Sequence, residues 1–136
     1  MFNKSFAFLS GVVSASIIMF LCEYINSLIF PFPANLDLNN IEAVRSFAQN
    51  LPWTAYLLVL FGWYDGSFFA GWISSKISKN NTKIIPILIG IFLTISGIMN
   101  FIMLQHPLWV VIIGLPAFIP LTILGSQMGQ KNNLKN

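Results

Sequence analysis

Four long apolar runs alternate with polar breaks along this chain. The first, SFAFLSGVVSASIIMFLCEYINSLIF, fills 5–30 and stops at PFP. Proline cannot donate to a helical ladder, so a helix should end there. The other runs occupy 53–76, 84–104 and 108–129. Each supplies about the 20 residues that a helix needs to cross the hydrocarbon core of a bilayer. The breaks between the last three are short: KISKNNTK, then QHP. The pattern predicts an all-α integral membrane protein, a four-transmembrane-helix bundle forming a single domain over 1–136.

The longest break has its own period. In NNIEAVRSFAQNL, Ile41, Val44, Ala48 and Leu51 recur at helical spacing. Asn39 or Asn40 can cap the helix start. Glu42 and Arg45, three residues apart, can pair. This predicts a short amphipathic helix in the first extracytoplasmic loop, lying on the membrane surface or covering the end of the bundle.

Composition agrees with the pattern. The chain is 56% hydrophobic and 8% charged, with a mean hydropathy of +0.75. Soluble domains carry about 25% charged residues, so the expected solvent is the lipid bilayer. The net charge of +3 comes without a basic face interleaved with aromatics, which argues against nucleic acid as a partner. Cys22 is the only cysteine, so an intrachain disulfide or multi-cysteine metal site is excluded. Leu21 stands where a lipoprotein cysteine is preceded by a small residue. The first run also lacks a small-residue cleavage site, so it is expected to be a retained span.

The basic residues fix an orientation. With four spans, Lys4, Lys76, Lys79, Lys83, Lys131 and Lys135 fall on one side and Arg45 on the other. The positive-inside rule then puts both termini in the cytoplasm of a multi-pass protein of a bacterial inner membrane. Trp53 and Trp109 would begin their spans at the outer face, where aromatic belts form.

Helices in lipid approach through small residues. Gly11 and Ala15, Gly62 and Gly66, Ser67 and Gly71, Gly90, Thr94 and Gly97, and Gly125 and Gly129 provide such faces. They suit a compact bundle, and equally a homo-oligomer or a membrane protein partner. Pro116 and Pro120 should kink the last span and free the carbonyls of Ile112 and Pro116. Freed carbonyls in a membrane are tolerated where they line a cavity.

Candidate chemistry is sparse. In LFGWYDGSFFAGW, Asp65 stands 11 residues before Lys76, or roughly 16 Å from the lysine edge at about 1.5 Å per residue. A charge at that depth costs about 2.5–3.5 kcal/mol on insertion scales. Asp65 is therefore expected to face the bundle, as a candidate mid-membrane protonatable site. Ser14, Ser16, Thr94 and Ser96 fall at matching depth. Near the other boundary, Glu23, Asn100 and His106 form a candidate intramembrane polar cluster, either structural or functional. By the same arithmetic Glu23 and Asp65 differ by about 12 Å in height, too far for a shared proton. One His with one Asp and one Glu at such different heights makes a poor metal site, so neither metal nor cofactor is expected.

Several features together resemble a set of small bacterial membrane proteins with four predicted spans. These are the late span-one Glu23, the PFP turn, LPW opening the second run, GIMNFIMLQHPLWV joining the last two runs, and the ending LTILGSQMG. The resemblance implies that Glu23, Asn100, His106, Pro107 and Trp109 are family positions. Asp65 departs from it, where a small or apolar residue is expected. It implies no activity. Small multidrug transporters share four spans and a span-one Glu, but have shorter loops and a deeper Glu. No HExxH, GxSxG, Walker or GxGxxG motif occurs. The expected function is that of a non-enzymatic structural or accessory membrane component. The alternative is a small oligomeric transporter or channel using Glu23 or Asp65 as a proton or cation site.

Overall fold

A computed structural model describes residues 2–78 and 83–133. Among them are helices and turns but no strand. The helices are α1 (Phe2–Ile29), α2 (Ile41–Gln49), α3 (Trp53–Ser78), α4 (Ile84–Leu104), α5 (Leu108–Gly114) and α6 (Phe118–Asn133), with a 3-10 turn at Leu115–Ala117 between the last two. Three helical stretches are long and apolar enough to cross a membrane: Asn3–Ile29, Ile84–Leu104 and Leu108–Lys131, the last running through the 3-10 turn. α3 is as long, at 26 residues, but its GWYDGS centre leaves it less apolar than these. The structure thus gives three candidate spans where the sequence pattern predicted four.

α3 is the central post. Gly62 backs onto Cys22 and Gly66 onto Ala15, while Gly11 meets Ala70 near the other end. That register makes α1 and α3 antiparallel. On its other side α3 runs parallel to α5 and α6. Gly114 abuts Trp63, Gly71 meets Thr122, and Gly129 meets Ser75. A Cβ on Gly71 would fall on the Thr122 carbonyl, and one on Gly125 on the Phe68 carbonyl. Only glycine lets the two backbones approach this closely. α4 then packs antiparallel to α6, with Gly90 at Ile119 and Gly97 at Leu115 and Phe118. Every small-residue face read from the sequence is thus taken up inside the chain.

Large side chains fill what the glycines leave. Phe118, Ile89 and Val110 are fully buried, and Trp63 lies 5.4 Å from Phe118, ring to ring. The hydroxyls in this region bond backward along their own helices. Ser67 donates to the Trp63 carbonyl, Ser74 to Gly71, Thr94 to Gly90 and Thr122 to Ile119. Ser14 and Ser16 do the same on α1. Such bonds satisfy the hydroxyl without a partner helix.

The proline break is resolved locally. The chain tightens into the 3-10 turn at Leu115–Ala117, and the Tyr64 hydroxyl donates to the Ile113 carbonyl at 3.0 Å. A side chain of α3 therefore attends the break, at a carbonyl one residue beyond the Ile112 expected from the proline rule.

The alternation gathers Lys4, Lys76, Lys83 and Lys131 at one end of the bundle, with Arg45 at the other. Lys79 and Lys135 lie outside the described residues, as does the centre of the KISKNNTK turn. The Lys76 ammonium sits over the Trp72 ring, 5.5 Å from its centroid, a contact worth about 0.5–1 kcal/mol at an exposed site.

Candidate functional site

The end of the bundle opposite the lysines is closed by α2. Asn40 caps it, its side-chain oxygen accepting from the backbone N–H groups of Glu42 and Ala43. The Glu42–Arg45 pair forms at 3.0 Å. Arg45 also reaches the end of α4, donating through Nε to the Met103 carbonyl at 3.0 Å. The last carbonyls of a helix have no intrahelical partner and favour a cation. Gln49 bonds Gln105 at 2.9 Å, and the Tyr56 hydroxyl donates to the Ala48 carbonyl. α2 is therefore bolted to α3 and α4. Its inner side is made by Val44, Phe47 and Ala48. Ile41, expected on that side, is exposed, because the helix starts away from the bundle and Phe47 takes the inward position.

Beneath α2 lies a recess of about 290 Å³. Its walls are mainly aromatic: Phe20, Phe30, Phe32, Phe47 and the ring of Tyr56. Its polar lining comes from the end of α1 and from the α4–α5 turn, namely Glu23, Asn26, Ser27 and His106. Glu23 is the one charged residue on the lining. Ser27 is already used, donating to the Tyr24 carbonyl at 2.7 Å.

Two of these groups are left without partners. Asn26 and His106 are each only 7% exposed. The Asn26 Oδ1 and His106 Nδ1 atoms are buried with no hydrogen bond. An unpaired buried polar atom costs about 1–3 kcal/mol, so two beside one cavity mark it out from ordinary packing. His106 is held against Tyr56 and Trp63, at ring distances of 5.8 and 6.1 Å. Burial lowers its pKa from the usual 6.5. The imidazole is therefore neutral near pH 7, with one nitrogen donating and one accepting.

The expected cluster of Glu23, Asn100 and His106 is assembled only in part. Glu23 and His106 share the recess. Asn100 is exposed and does not line it. Gly97 is the last buried residue of α4; beyond it the inward positions pass to the half-buried Phe101 and Leu104, leaving Asn100 outside. His106 is aimed not by the phase of α4 but by Gln105, whose φ of 51° reverses the chain. Asn26, which the sequence places in the same outer zone but outside that cluster, joins them on the lining. Its signal in the sequence was its place one turn after Glu23 on the same helix.

Asp65 stands apart from this recess. It is half-buried, and falls between the exposed Phe61 and Phe69, each four residues away on α3. It faces outward instead of into the bundle. The inward arcs of α3 are already closed by Gly62 and Gly66 against α1 and by Gly71 against α6, so a carboxylate has no room there. The hydroxyls once matched to it by depth are satisfied on their own helices. Its height relative to Glu23 follows from the α1–α3 register. Cys22 is level with Gly62, so the two carboxylates differ in height by only about 6 Å at 1.5 Å per residue. The larger separation expected from the sequence assumed upright helices measured from lysines. Glu23 nonetheless lines the recess and Asp65 does not.

Among the described residues, no group of three or more His, Cys, Asp or Glu side chains converges to hold a metal ion. Comparison with protein-family models, curated proteins and solved structures finds no match to this chain.

Proposed function

We propose that this chain is a four-span protein of a bacterial inner membrane, acting as a non-enzymatic structural or accessory component. In this reading α3 is the fourth span, both termini are cytoplasmic, and α2 covers the outer end. Three helices are apolar enough to span by themselves, and α3, as long as its neighbours, lies between them. Its less apolar sequence suits a helix solvated mainly by protein. The lysines at one end support the orientation.

The observation that carries the functional reading is the filled centre. Trp63, Phe118, Ile89 and Leu93 occupy the space between α3, α4 and α6, and the hydroxyls there turn back on their own helices. A single copy therefore offers no polar path along the bundle among the described residues. Reporter fusions test the topology: residue 40 is expected outside, and a C-terminal fusion inside. Purification from native membranes in mild detergent tests the role. A larger membrane partner should co-purify in stable ratio; recovery only as a lone monomer would count against an accessory function.

The outward position of Asp65 favours a second reading. A carboxylate half-exposed beside Phe61 and Phe69 gains from cover by another copy. In that reading the chain is a small oligomeric transporter or channel, with Asp65 or Glu23 carrying a proton or cation. Proteoliposomes should then show a flux that is lost in Asp65→Asn or Glu23→Gln. Flux equal to that of empty vesicles under every gradient tried would remove this reading.

A further inference from the structure

From the Glu23–Asn26–His106 recess beneath α2, we infer a binding site for a primary ammonium group carried on an apolar body. This deepens the reading of the chain as a membrane protein and rests on it only for where the apolar body lies.

The sign of the ligand follows from charge. Glu23 is the one ionisable acid on the lining, and no cation accompanies it: Arg45 is turned away onto Glu42 and the end of α4. His106 is neutral. An anion would meet an uncompensated carboxylate, whereas an ammonium would find its counter-charge. The aromatic walls add to this, because a cation over a ring face is attracted by the ring's quadrupole.

The degree of substitution follows from the unpaired atoms. Asn26 Oδ1 is an acceptor as it stands, and His106 Nδ1 is one in the Nε2–H tautomer; a small turn of either side chain presents it to the recess. With a Glu23 oxygen, that makes three acceptors for the three N–H donors of a primary ammonium. A quaternary ammonium has the charge but no N–H, and would leave both buried groups unpaired. Sites built to hydrogen-bond a ligand discriminate strongly against analogues that lack the donor.

The apolar body follows from the rest of the lining. Phe20, Phe30, Val44, Phe47 and Leu104 surround the polar patch. Phe20 is exposed on the outer side of α1, so an alkyl chain can leave the recess across it toward lipid. The same chemistry has two sources, a free alkylamine or the headgroup of an ethanolamine phospholipid.

The test uses the full chain in maltoside micelles, with binding measured calorimetrically for dodecylamine, dodecyltrimethylammonium and dodecanol. Dodecylamine should bind saturably, and the trimethylammonium analogue about tenfold or more weaker. Glu23→Gln, a change at an exposed position, should weaken dodecylamine by about tenfold, the size of one charge-assisted hydrogen bond. Asn26→Asp should strengthen it, and Glu23→Gln with Asn26→Asp should recover part of the loss. Extracted lipids identify the source. Ethanolamine phospholipid enriched over choline phospholipid with wild type but not with Glu23→Gln points to the headgroup; dodecylamine binding without that enrichment points to a free amine. Equal binding of the quaternary analogue, an unchanged Glu23→Gln, or no saturable binding to a helical, monodisperse protein would overturn the site. None of these failures touches the span count, which the reporter fusions decide separately.

Discussion

Of the 26 residues of α3, 13 are buried; of the 21 residues of α4, six are. The two helices are neighbours in sequence and close in length, yet they are solvated differently. α4 is edged by Ile91, Ile95, Ile98 and Ile102, all exposed, and its long apolar run reads immediately as a membrane span. α3 carries Gly62, Gly66, Ser67, Gly71, Ser74 and Ser75 on buried positions, and its run, although it also stands out in the sequence as apolar, is the less apolar of the two. Hydropathy reports contact with lipid. Its signal weakens in a helix whose surroundings are mostly other helices, because close packing asks for small side chains and tolerates satisfied hydroxyls.

The largest expected effect breaks the central helix by steric means. Gly125→Leu, or Gly71→Leu, would drive a side chain into the facing carbonyl. The cost should reach or exceed the about 1–3 kcal/mol usual for overpacking, because backbone cannot move aside. Thermal unfolding in micelles should show loss of the cooperative transition, while Ile98→Leu on α4 leaves it in place. An unchanged transition in both glycine variants would show that α3 and α6 do not approach as described.

Next in size is truncation on either helix. Trp63→Ala removes the ring that packs on Phe118 and Gly114 and should cost about 3–5 kcal/mol. Ile98→Ala on the lipid side of α4 should cost less than about 0.5 kcal/mol. Equal losses would mean that α3 is no better buried than α4.

Insertion sharpens the same contrast. Tested singly in a translocon insertion assay, α4 should insert and α3 should insert poorly. Asp65→Leu should improve α3 by about 3 kcal/mol on the apparent insertion scale. If wild-type α3 already inserts as well as α4, its polar centre is not what separates the two.

The smallest effects concern the α2 end. Arg45→Ala removes the donor from the last carbonyls of α4 and should cost about 0.3–1 kcal/mol, read as a small downward shift in melting temperature. His106 adds a pH dependence. Its pKa is lowered by burial in the folded protein, so near pH 6.5 the unfolded chain binds more protons than the folded one. Stability is therefore fully present above that pH and falls as pH drops toward the lower folded pKa, where it levels off. Melting measured over this range should show the fall, and His106→Gln should flatten it.

How much was legible in the sequence can be traced residue by residue. The helix ends at PFP and QHP, an Asn39 or Asn40 cap and the Glu42–Arg45 pair were all readable, because each depends on residues within one or two turns; the structure takes Asn40. The glycine faces were readable as faces, but not their partners: Gly71 meets Thr122 and Gly62 meets Cys22, across distances no local rule spans. The recess was half legible. Glu23 and His106 announced themselves as ionisable groups near one boundary, whereas nothing local distinguishes Asn26 from the other polar residues at that height.

The sequence by itself determined an all-helical chain suited to lipid, the lysine asymmetry between the two ends, and the short capped helix between α1 and α3. Periodicity, propensity and hydropathy act over a few residues and need no partner. Only the tertiary structure decided which helix is central, that Asp65 looks outward, that Asn100 stays out, and that two unpaired polar atoms sit beside one recess. Those outcomes depend on helices far apart in the chain competing for the same space, and the small residues of α3 settle that competition by allowing approach on two sides at once.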